Sequence, residues 1–137
     1  MADAPVVPES HRELLDTEVA VLTTNGPSGH PQVTAVAFFH DKAADLIKIS
    51  LNDTRQKTKN LRRDPRTTLF IIAPGNAYKT LEVRGTAELQ PDPDFAFARE
   101  AGAKYNEDFH RHDQPGETRS IVTIHPTRIN ALDLSGG

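Results

Sequence analysis

From Leu81 to Leu89 apolar and polar side chains alternate without a break. Leu81, Val83, Gly85, Ala87 and Leu89 share one face; Glu82, Arg84, Thr86 and Glu88 share the other. Period two marks a strand with one dry face and one wet face. Such a strand has unpaired edges, so it needs neighbours, and the chain supplies them. Segments 19–24 and 33–40 flank the dense turn signal Asn25-Gly-Pro-Ser-Gly-His-Pro31 and read as a hairpin. In 46–51, Ile47, Ile49 and Leu51 fall on one side, Lys48 and Ser50 on the other. Segments 67–73, 120–125 and 127–134 complete the set. Six or seven antiparallel strands joined by short helices point to a closed or nearly closed barrel. Leu81, Val83, Ala87, Ile47 and Ile49 are its predicted core.

Three stretches break the alternation. Residues 1–9 read as a flexible leader, and Ser10-x-x-Glu13 has the spacing of a capping box opening a helix over 10–16. A second helix is expected over 52–63, with Asp53 as N-cap and Pro65 as stop. A third is expected over 92–105, with Phe95, Ala98 and Gly102 along its inner stripe. His110 to Glu117 reads as a polar loop.

At 137 residues the chain, from residue 10 onward, reads as one domain. Only 36% of it is apolar and its mean hydropathy is −0.52. The core must be thin, which favours burial against a second copy. A net charge of −3 gives no global attraction for nucleic acid or anionic membrane. With no cysteine, disulfides and thiolate chemistry are excluded. The N-terminus lacks the charged and apolar regions of a signal peptide, and no apolar run approaches the roughly 20 residues of a membrane span. These features predict a cytoplasmic protein.

Against that acidic background, residues 54–66 hold six basic residues (Arg55, Lys57, Lys59, Arg62, Arg63, Arg66) and one acidic, Asp64. The cluster lies where a strand gives way to a helix, so free amides and the positive end of the helix dipole meet there. Arg55 can grip an anion through two N–H groups, Lys57 and Lys59 offer point charges, and Thr58 and Asn60 can donate neutral hydrogen bonds. Lys48 and Ser50 face away from the core beside this site. A ligand with a phosphate tail and a flat ring suits it. A solvated helix face is the alternative, and nucleic acid would want aromatic residues among the basic ones, which are absent.

The strings Val19-Ala-Val-Leu-Thr-Thr, Gly29-His-Pro-Gln-Val, Ile47-Lys-Ile-Ser, Lys57-Thr-Lys-Asn-Leu-Arg-Arg-Asp-Pro-Arg, Leu81-Glu-Val-Arg-Gly-Thr-Ala and Ile124-His-Pro-Thr-Arg-Ile resemble the pyridoxamine-phosphate-oxidase-like split-barrel proteins. Within them they look like the flavin/deazaflavin oxidoreductases that use coenzyme F420. The resemblance implies a mainly β, six-stranded antiparallel split barrel and a homodimer with two cofactor sites in grooves between protomers. It implies that Arg55, Lys57, Thr58 and Asn60 hold the cofactor's phosphate end and that Ser50 lies beside the ring. Tyr78, from the opposite protomer, would close over it. Lys59, Arg62 or Arg63 would meet the tail of F420. The chain lacks the extended C-terminal motif of true pyridoxamine-phosphate oxidases, which argues against vitamin B6 as substrate. The expected activity is hydride transfer between F420 and a small conjugated organic molecule, with no catalytic side chain and no metal. FMN in the same site, or a non-catalytic carrier or sensor of flavin, deazaflavin or haem, are the alternatives. His110, His112 and Asp113 lie together in sequence but read as solvated loop, not as a metal cluster.

Overall fold

A computed structural model of the chain describes residues 4–136. A 3₁₀ helix, Glu9–Asp16, precedes β1 (Ala20–Asn25), β2 (Pro31–Val36), β3 (Phe39–Asp41), β4 (Leu46–Asn52), α1 (Gln56–Arg63), β5 (Arg66–Ala73), β6 (Asn76–Pro91), α2 (Ala96–Ala103), a short 3₁₀ turn, Phe109–His112, and β7 (Arg119–Asp133). The seven strands form one antiparallel sheet in the order β2-β1-β5-β6-β7-β4-β3, rolled into a half-barrel.

The count is seven, within the six or seven that the alternation suggests and one more than the resemblance implies, and two expected boundaries move. Segment 33–40 divides at Ala37–Phe38, so the strands at the two ends of the sheet are consecutive in the chain. No ladder closes that seam, and Tyr105 serves it instead. Its Oη accepts from the Phe38 amide at 3.0 Å and lies 2.7 Å from the Glu18 carbonyl and 3.1 Å from that of Phe38. Lys104 Nζ donates to the Phe38 carbonyl at 2.9 Å and sits 3.9 Å from the centre of the Phe38 ring. Conversely, the two last expected strands are one. Pro126, which cannot donate to a ladder, falls at a register shift opposite Gly85, where a bulge absorbs it. A Cβ on Gly85 would come within 2.4 Å of the His125 carbonyl oxygen, so the close approach requires glycine there.

The helices differ more from expectation. The capping box does not form: Pro8 occupies the N-cap, Ser10 Oγ pairs with His11 Nδ1, and Glu13 takes the ammonium of Lys79. Val7 is buried in the core, although it lies in the segment read as a leader; Met1–Asp3 fall outside the described residues. In α2 the buried stripe is Phe97, Ala98, Ala101 and Gly102. Phe95 is instead the N-cap, held at φ 57°, and the carboxylate of Asp92 receives the amides of Phe97 and Ala98.

Inside the half-barrel, Leu22, Phe38, Ile49, Leu69, Ile71, Leu81, Val122 and Ile124 are buried, with Ile47, Val83 and Ala87 among them as the alternation predicts. Val83 is 3% exposed, so an unpaired carboxylate there has no compensation. Val83→Asp should lower unfolding stability by several kcal/mol in urea titration, whereas Thr86→Asp, exposed on the same strand, should change it by less than about 0.5 kcal/mol. Similar midpoints for the two variants would mean that the face assignment is wrong.

Candidate functional site

β4 alternates as expected, burying Ile47, Ile49 and Leu51 and leaving Ser50 half-exposed. At its end Asn52 builds the turn that starts α1. Its Oδ1 accepts from the Thr54 amide at 2.8 Å and the Thr54 hydroxyl at 2.7 Å, and its backbone carbonyl accepts from the Arg55 amide and the Thr58 hydroxyl. Its Nδ2 donates to Asp113 at 2.9 Å and Glu117 at 3.0 Å.

This turn shortens the expected helix, which begins at Gln56. Arg55, not Asp53, is the N-cap, and it offers no side-chain cap to the first-turn amides. Asp53 is drawn off by β7, receiving Ser120 and Thr118 hydroxyls and the Arg62 guanidinium. Burial pushes the Asp53 carboxyl up, but those bonds outweigh it and hold it below its ordinary value.

A cleft of about 190 Å³ lies between β4, the tip of β2 and the start of α1. Of the six expected binding residues it brings together three: Ser50, Arg55 and Lys57. Thr58 and Asn60 do not line it. Both are fully buried, Thr58 bonded to the Asn52 carbonyl, Asn60 donating to Thr24 Oγ1 and Gln32 Oε1 at 3.1 Å and accepting from Gln56. Their side chains fasten α1 to the sheet, because in an eight-residue helix the positions next to Lys57 on the inner face must pack on β1 and β2. Tyr78 does not line this cleft either; it stands exposed on the outward face of β6.

The basic cluster divides in the same way. Arg62 is bound to Asp53 and Ser120, Arg63 to the Asn25 carbonyl, and Arg66 to Asp64. Among the described residues Arg55, Lys57 and Lys59 have no acidic partner. Lys57 is half-buried, and desolvation, aided by the nearby charge of Arg55, pulls its ammonium below the ordinary lysine value. A half-buried cation without a counter-ion is a site prepared for an anion.

The rest of the lining was not legible as a motif. Phe109 and Arg119 join Ala35, Val36 and Ala37 around the opening. The pairing of β4 with β7 sets Arg119 opposite Asn52, and its side chain reaches back to Ser50, Nη1 to Oγ at 3.1 Å. Asp113 clamps the guanidinium from behind, with bonds of 2.8 and 3.0 Å and only 2% of its side chain exposed. The contact between Arg119 and Ser50 joins residues 69 apart in sequence, which no local spacing announces. His110 and His112 do not converge. His110 bonds Asp113 and stacks on Phe95 at 3.5 Å, while His112 faces Glu107. Among the described residues no group of three or more metal-ligating side chains gathers. Glu82 and Arg84 pair with each other along β6 at 3.0 Å.

The family model for pyridoxamine 5′-phosphate oxidase matches residues 7–133. The chain belongs to the pyridoxamine 5′-phosphate oxidase family. Among solved structures, an F420 reductase is 32% identical, with a TM-score of 0.78 over 90% of this chain and 98% of its own. A conserved hypothetical protein from Mycobacterium tuberculosis shares 24% identity and a TM-score of 0.75, covering 97% and 88%. A heme binding protein from Mycobacterium smegmatis shares 20%, with a TM-score of 0.72 over 97% of this chain and 57% of that one. The last two are likenesses of fold. Among the described residues no helix is long and apolar enough to cross a membrane.

The clamp behind Arg119 has a consequence in acid. Burial pushes the Asp113 carboxyl up, but bonds from Arg119, Asn52 and His110 and the charge of Arg119 hold it at about 2. Its folded value is therefore below its unfolded one, near 4. The stability it contributes is present above pH 4 and lost as pH falls towards 2. Wild type should exceed Asp113→Asn in denaturant stability at pH 6, and the gap should narrow between pH 4 and pH 2. A gap independent of pH would mean that the carboxylate is not engaged.

Proposed function

We propose that the cleft binds coenzyme F420 and that the protein is an F420-dependent oxidoreductase, passing a hydride between the deazaflavin and a small conjugated organic substrate in the cytoplasm. The observation that carries this reading is Lys57, a half-buried cation with no acidic partner among the described residues, beside an uncapped helix start. Family membership and the 32% identity to an F420 reductase support it.

The residues present fit such a cofactor. Lys57 and Arg55 match a phosphate, and Ala35, Val36, Ala37 and Phe109 offer apolar walls to a flat ring. When bound, the deazaflavin supplies the hydride chemistry. The chain's own part is to neutralise the phosphate, hold the ring and keep water from it. Lys59, exposed on α1, is left to meet an anionic tail; Arg62 and Arg63 are already engaged. FMN is the second reading, since the same cations serve its phosphate. For haem the lining offers, among the described residues, no histidine, cysteine, methionine or tyrosine as an iron ligand.

We further propose a homodimer. Ile72, Tyr78, Leu132 and Leu134 are exposed on one side of β5, β6 and β7, where Thr80 faces both Ile72 and Leu132. A second copy covering this apolar group would bring a Tyr78 towards a neighbouring cleft.

Lys57→Ala should weaken binding of F420, or of FMN if that is the ligand, about tenfold to a hundredfold, roughly 1.5–3 kcal/mol for one charge-assisted bond. The melting temperature should hardly move, and Lys42→Ala, in an exposed turn, should bind as wild type. Fluorescence titration measures all three. Equal affinity of folded wild type and Lys57→Ala for both ligands would refute the cofactor assignment.

A further inference from the structure

Within the cleft two kinds of cation stand side by side. Lys57 and Arg55 lack counter-ions; Arg119 does not. Asp113 takes the Nε and Nη2 nitrogens along one edge of the Arg119 guanidinium, and the pair is close to dry, with side chains 11% and 2% exposed. A neutralised, desolvated pair is a poor receptor for a phosphate dianion, but a rigid hydrogen-bond donor for a neutral acceptor. The remaining nitrogen, Nη1, reaches Ser50 Oγ at 3.1 Å, and the Ser50 carbonyl only at 3.4 Å. Because Ser50 Oγ accepts this bond, its own proton is left over, and among the described residues it donates to none. Phe109 lies 5.9 Å beneath the guanidinium. Arg119 and Ser50 thus form a fixed pair of donors beside an apolar wall.

We propose that Arg119, positioned by Asp113, is a ligand-binding residue which, with Ser50, donates hydrogen bonds to an acceptor on the flat, uncharged end of the ligand, leaving the phosphate to Lys57 and Arg55. The proposal rests on the reading of the cleft as a flavin-type cofactor site. It divides the cleft into a charged end and a neutral reading edge, so loss at each end has a separate signature.

The test uses ligand pairs that differ in the phosphate-bearing tail: FMN with riboflavin, and F420 with the ribityl deazaflavin that lacks its phosphate and the tail beyond it. The proteins are wild type, Lys57→Ala, Arg119→Met, and the double variant Arg119→Met/Asp113→Asn, which leaves no orphaned buried carboxylate if Arg119→Met alone fails to fold. Affinities come from fluorescence titration, or from initial slopes where saturation is not reached. Loss of Arg119 should weaken the phosphorylated and phosphate-free members of a pair by the same factor, about tenfold. Lys57→Ala should weaken only the phosphorylated member. If the folded Arg119 variants bind the phosphate-free ring as wild type does, or wild type shows no slope for that ring while binding its phosphorylated partner, the inference is overturned and the cofactor reading stands. If wild type binds neither pair, both fall.

Discussion

Asn52 ends β4, and every bond it makes shapes the cleft. Its side-chain oxygen draws in Thr54 and bends the chain, its carbonyl receives Thr58 and fixes the first turn of α1, and its amide nitrogen holds Asp113 and Glu117. Of these, Asn52 and Thr58 are buried and Asp113 and Glu117 half-buried, polar groups costly to leave unpaired. Lys57 is half-buried because α1 starts two residues later than a simple N-cap at Asp53 would set it. Arg119 faces Ser50 because Asp113 is tethered to the same turn. The ladder between β4 and β7 underlies both, since it sets Asn52 opposite Arg119.

What could be read in the chain beforehand follows the range of the interactions. The inward set of β6 and β4 was legible because burial repeats with period two and needs no knowledge of a partner. The anion site was legible as charge, since six basic residues in a short acidic chain stand out. Which of them remain without partners was not, because Asp53, Asp64 and the Asn25 carbonyl remove three through the fold. Thr58 and Asn60 were expected, from the resemblance alone, to hold a phosphate, yet their hydrogen bonds are spent on the sheet. Arg119 has no motif at all: it becomes part of the site only when strand pairing closes a 69-residue separation. The seam at Phe38 was hidden for a similar reason. An unbroken β-rich run gave no sign that Tyr105, far along the chain, would take over the ladder's bonds.

The chain's contribution to chemistry lies in the placement of groups around the cleft. The cleft is lined by uncompensated charge, by a compensated guanidinium and by small apolar side chains. Such a site needs few acid–base groups, which suits a reaction whose electrons travel on the cofactor. A Tyr78 from a second copy would add the cover that one chain leaves missing.

The most direct measurement is a crystal structure of the protein grown with F420, and in parallel with FMN, at saturating concentration. The account predicts a phosphate within hydrogen-bond distance of Lys57 Nζ and Arg55, with the ring beside Ser50 and Phe109. A ligand seated in another depression, or a phosphate turned away from Lys57 with the cleft filled by water, would contradict it.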